Sequence, residues 1–170
     1  MTIYLDLILL VNFGFDLLLL LVVDIVLKRH TKFIRLLLGS LFGSLTIFFL
    51  FLPLNSFTLF LLKIITSVMM IIISFSYQNF KYTLKNLLFL YTTSILLGGF
   101  LYYLNVTFSY KQDGLIFFYE GLSINYIFLL IFSPIILYIY IKETKALKNN
   151  YHYYHDIKII LSNDYEINTR

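Results

Sequence analysis

The sequence predicts an all-α integral membrane protein: a bundle of five transmembrane helices, N-terminus outside and C-terminus cytoplasmic. Three observations predict it. The chain is 60% hydrophobic and 13% charged, with a mean hydropathy of +0.86, whereas a soluble domain is about 25% charged and roughly half apolar. Five apolar runs approach the ~20 residues a helix needs to cross a bilayer. Lys and Arg collect in alternate connections between those runs.

The runs place spans at about 3–27, 33–53, 57–77, 86–105 and 121–141, so that residues 1–141 form one membrane domain. The first run is no cleavable signal peptide: it lacks a basic start, its apolar stretch is too long, and no small-residue cleavage site follows. Lys28, Arg29, Lys32 and Arg35 lie in the first connection, Lys81 and Lys85 in the third, and Lys142, Lys145 and Lys148 after the fifth span. These connections share one side, and the other side carries only Lys111, in the 106–120 loop. The positive-inside rule makes the basic side cytoplasmic. An odd number of spans puts the termini on opposite faces, as the charges require. The net charge of +4 is therefore a membrane signature, and the expected contact is membrane lipid, with no nucleic acid. Cys is absent, which excludes disulfides, thiolate chemistry and Cys-based metal sites.

The first span holds Asp6, Asn12, Asp16 and Asp24 among Leu, Ile, Val and Phe. At about 100° per residue, with Asp6 at zero, Asn12 falls near 240°, Asp16 near 280° and Asp24 back near zero. The four form one polar stripe, which should face protein. Asp6 sits in the first turn, where the helix dipole favours an anion. Asp24 lies four residues before Lys28, within reach of an ion pair. Asp16 is near mid-membrane, where an unpaired carboxylate costs about 3 kcal/mol on insertion scales. It is either protonated, hydrogen-bonded to Asn12, or paired across the bundle. Lys63, early in the third span, is the basic residue well inside a span; by depth its expected partner is Asp6. Two readings fit the stripe: a proton, ion or substrate path, or polar glue between helices. Gly39 and Gly43 in GSLFGS, and Gly98 and Gly99 in the fourth span, read as packing positions; Ser133 and Pro134 read as a packing or kink position.

After the fifth span, KETKALKNN continues as a basic polar stalk, IKIIL reads as a short strand, and SNDYEINTR as a polar turn. His152, His155 and Asp156 are too sparse a set for a metal site, so no metal is expected and the segment reads as an aromatic-rich linker. No Ser-His-Asp set, phosphate loop or paired-carboxylate site is present, and no cofactor is expected.

IYLDLILLVNFGFDLLLL, followed by LKRH, GSLFGS and LLFLYTTSILLGGF, resembles the membrane domain of the sporulation sigma-E-factor-processing peptidase family (SpoIIGA). The Tyr4-Leu5-Asp6, Asn12 and Asp16 spacing with LKRH carries most of the likeness, which extends over essentially the whole chain. The resemblance implies a membrane-bound aspartic endopeptidase of spore-forming bacteria, with a five-helix anchor and a cytoplasmic peptidase domain that cleaves pro-sigma-E. It also implies a forespore-secreted signalling protein as activator, residues 106–120 as the receiving loop, a homodimer, and the mother-cell membrane at the forespore septum as its place. The family's catalytic carboxylate lies in an Asp-(Thr/Ser)-Gly-Asn motif, one per chain, and a homodimer supplies the two carboxylates that must share a proton. Here Asp156 precedes Ile-Lys and Asp164 precedes Tyr-Glu, so no catalytic residue is assigned in this chain. Residues 142–170 are then expected to be the stalk and the start of a truncated peptidase domain, inactive alone. The alternatives are a non-catalytic membrane regulator that pairs with full-length peptidase chains, or a small membrane transporter subunit with an intramembrane site at Asp16, Asn12 and Lys63.

Overall fold

A computed structural model describes residues 5–51, 53, 55–109, 111–113, 116–118, 123–150, 157–160 and 166–169. The order is α1 (Leu5–Leu27), α2 (Phe33–Ser44) continued by a 3₁₀ segment (Leu45–Phe51), α3 (Ser56–Phe75), α4 (Phe80–Phe108) and α5 (Ile124–Asn150). The body is all-helical. α1, α3, α4 and the first part of α5 are long and apolar enough to cross a membrane, and the second helical segment is shorter. Two short antiparallel strand pairs are also present: β1 (Lys111–Asp113) with β2 (Ile116–Phe118), and β3 (Ile157–Ile160) with β4 (Glu166–Thr169).

The second segment is not the continuous α-helix that its hydrophobicity suggests. α2 ends at Ser44, whose hydroxyl donates to the Leu41 carbonyl, a local bond that competes with the helix ladder. The residues beyond, Thr46 to Phe49, are β-branched or aromatic and poor helix formers, and Pro53 follows. The 3₁₀ turn stretches the chain: twelve α residues rise about 18 Å, and seven 3₁₀ residues rise about 14 Å. Together they match the ~30 Å hydrocarbon thickness.

α4 starts earlier than its apolar run. Asn79 caps it, its side-chain oxygen accepting from the Tyr82 N–H at 2.7 Å, so most of the third connection becomes helix. α5 runs on into the basic stalk as expected, with Pro134 inside it. In the tail, IKII is the expected strand. EINT pairs with it, Ile157 opposite Thr169, where a turn was expected.

α1 is the hub, packing on α2, α4 and α5, while α3 packs on α2 and α4. The buried core gathers at the basic end, from Leu19, Leu20, Leu21, Val23, Leu36, Ile71, Phe75 and Leu90. Toward the other end, Phe128 stacks on Phe132 at 4.2 Å and meets Phe15 and Phe100 at 6.2 Å. The outward surface is Leu, Ile and Phe, the exterior a lipid solvent demands and a watery one would not tolerate as a continuous belt.

Candidate intramembrane site

Burial along the stripe of α1 rises toward the basic end. Asp6 is exposed, Asn12 and Asp16 are half-buried, and Asp24 is 2% exposed. Asp16 faces α2. A Cβ at Gly43 would lie 2.5 Å from the Asp16 Oδ2 and 2.6 Å from the Met70 Sδ. Glycine at 43 is what lets the α2 backbone close on that carboxylate. Gly39 does the same for α3 one turn before it, where a Cβ would strike the Ser74 hydroxyl and lie 3.1 Å from the Met70 carbonyl oxygen. Gly98 and Gly99 have nothing within 4 Å of an added Cβ, so no other helix of this chain rests on them among the described residues.

Asp16 opens onto a cavity of about 250 Å³ that four helical segments build: Asp16 from α1, Gly43 and Thr46 from the second, Lys63, Thr66, Ser67 and Met70 from α3, and Tyr91 from α4. Lys63 thus shares a cavity with Asp16, while Asp6 lies on the exposed first turn; among the described residues neither acid makes an ion pair with it. The Thr66 hydroxyl donates to the Leu62 carbonyl at 2.9 Å and the Ser67 hydroxyl to the Lys63 carbonyl at 2.8 Å. Both therefore offer only lone pairs to the cavity. Its walls carry the Asp16 carboxyl group, the Lys63 amino group and several acceptors, a lining suited to water or a small polar solute. Ionisable groups at this depth face one another or a wet cavity because lipid cannot solvate them.

A second polar cluster closes the basic end. The Asp24 carboxylate accepts from the Thr31 N–H at 3.0 Å and from the Thr31 hydroxyl. Tyr140 of α5 donates to the Thr31 carbonyl. Lys28 leaves the helix at φ 50°, and Thr31 takes the place expected for it at Asp24. Arg29 donates from Nε to the Asn86 Oδ1 at 2.9 Å and lies 4.0 Å over the Tyr82 ring. Arg35 donates to the Ser76 hydroxyl. At the opposite end, Asn105 donates to the Leu101 carbonyl at 2.7 Å and to Asn125 at 3.2 Å, tying α4 to α5.

Sequence reasoning did not single out Thr31, Tyr82, Asn86 or Tyr140. Asn86, fully buried at the edge of an apolar run, was the legible signal, since a buried amide implies a partner. Among the described residues no three His, Cys, Asp or Glu side chains gather to hold a metal. His152, His155 and Asp156, and Asp164, lie outside the described residues.

The fold and these clusters define a multi-pass helical membrane protein with a polar interior. The chain belongs to the family described as Sporulation factor SpoIIGA, whose model matches residues 2–169. It is 35% identical over 147 residues to a sporulation sigma-E factor-processing peptidase of Priestia megaterium, covering 81% of this chain and 47% of that protein. It is 38% identical over 100 residues to the protein of the same name in Bacillus subtilis, covering 58% of this chain and 32% of that one. The chain therefore spans half or less of the length of these curated relatives. No solved structure matches it.

Proposed function

We propose that this chain is the membrane-anchoring and signal-receiving part of a sigma-E factor-processing aspartic peptidase, crossing the membrane five times with its N-terminus outside and its tail in the cytoplasm. The observation that carries the reading is the family match over residues 2–169, which takes in both the polar first helix and the tail. The direction is supported by the basic connections, which the positive-inside rule assigns to the cytoplasm. The tail then emerges in the compartment that holds sigma factors, and the substrate is pro-sigma-E, as the relatives' name suggests.

The chain contains no Asp-Thr-Gly or Asp-Ser-Gly. The peptidase carboxylate is then supplied by residues other than these, paired with that of a second copy in a homodimer. Residues 142–170 act as the stalk and the entry to that domain. The outward segment 106–120 receives a forespore-secreted signalling protein, in the mother-cell membrane at the septum. Asp16 and Lys63 around their shared cavity, and Asp24 through Thr31, hold the helices in register, so that a displacement at the outer loop reaches the stalk.

Deleting the gene in its sporulating host and following pro-sigma-E by immunoblot tests the reading. The precursor should accumulate, and these residues expressed alone beside it should leave it uncleaved. Conversion at the unchanged rate after deletion would overturn the assignment. A second reading, a small transporter subunit, draws on the Asp16–Lys63 cavity; solute uptake by proteoliposomes that disappears in Asp16→Asn would establish it against the first.

A further inference from the structure

Lys81 and Lys85 stand one turn apart on α4, above Leu84, Leu88, Phe89 and Thr92, and these six side chains line a groove of about 320 Å³. Residues four apart share a helix face. Both lysines are exposed, the first turn of α4 holds no acidic residue, and among the described residues no carboxylate pairs with either. Below them the lining turns apolar: Leu84 is 41% and Leu88 59% exposed. Thr92 gives its hydroxyl proton to the Leu88 carbonyl at 2.9 Å, so its donor is spent within the helix. A basic rim above an apolar floor, where a helix enters the bilayer, is complementary to a phosphate with hydrocarbon attached.

We propose that this groove binds an anionic phospholipid, its phosphate held between Lys81 and Lys85 and one acyl chain lying along Leu84, Leu88 and Phe89. The bound lipid fixes the N-terminal end of α4 beside the Arg29–Asn86–Tyr82 contact. Occupancy therefore reinforces the join between α4 and the first connection. This inference does not depend on the peptidase reading.

The test uses the full chain in phosphatidylcholine nanodiscs, with and without phosphatidylglycerol. Thermal unfolding and native mass spectrometry of retained lipid are the readouts. Phosphatidylglycerol should raise Tm and co-purify. Lys81→Gln with Lys85→Gln should keep the Tm in pure phosphatidylcholine but lose most of the rise and the retained lipid. Lys142→Gln with Lys145→Gln removes equal charge from α5, at the same end of the bundle as judged by the Tyr140–Thr31 bond, and should keep both. Equal loss in the two double variants would reduce the effect to general surface attraction and overturn the site. So would loss in neither, the same rise from inorganic phosphate in pure phosphatidylcholine, or a second copy of the chain seated there in place of lipid.

Discussion

Gly43 and Asp16 show how one missing Cβ sets the chemistry of the interior. Any side chain at 43 displaces the carboxylate or the Met70 thioether. Both can move, so Gly43→Ala should cost about 1–3 kcal/mol, the usual range for overpacking. Gly39→Ala meets the Met70 backbone carbonyl as well as Ser74 and should fall at the upper end. Gly98→Ala, on an open face, should leave Tm unchanged. Chemical or thermal unfolding in detergent compares the three. The Asp16–Lys63 relation is tested by a double-mutant cycle on the same readout. Asp16→Asn with Lys63→Met should show a coupling of about 0.5 kcal/mol or more, while Asp6→Asn with Lys63→Met should add independently. At the basic end, Arg29→Ala strips the Asn86 oxygen of its donor. Asn86 is fully buried and its Nδ2 already has no partner among the described residues, so a loss of about 1–3 kcal/mol is expected.

At the scale of elements, the helices were legible wherever apolar length alone decides. The apolar runs and the close approach at GSLFGS could be read from residue type and spacing, whereas of the polar residues on α1 only Asp24 is buried and Asp6 is exposed. What could not be read depended on local caps or distant partners. The early start of α4 hangs on Asn79, and Asn79→Ala should fray its first turn, costing about 1 kcal/mol and raising hydrogen exchange at the Tyr82 and Thr83 amides. The switch from α2 to 3₁₀ is a balance between backbone geometries that hydrophobicity does not register. β4 forms only because β3 lies opposite it. Lys63 was misjudged for a different reason. Counted from the helix ends, Asp16 lies about 16 Å and Lys63 about 10 Å deep, and that count ignores tilt between helices and the length of the lysine stem, which carries its ammonium well away from its own Cα.

For the whole molecule, the proposed five crossings would begin outside and end inside, which would put the tail in the cytoplasm. The second helical segment, Phe33–Phe49, is the shortest of the apolar helices, so the positions at either end of α3 report most directly on the pattern. The chain has no Cys, so single cysteines can be introduced one at a time and labelled in intact cells by a membrane-impermeant maleimide. Asn55→Cys and Ser123→Cys should label from outside, whereas Gln78→Cys and Thr144→Cys should label only after the cells are opened. If Asn55→Cys and Gln78→Cys label from the same side, α3 does not cross; if the whole pattern inverts, the tail lies outside, and the anchor of a cytoplasmic peptidase is contradicted.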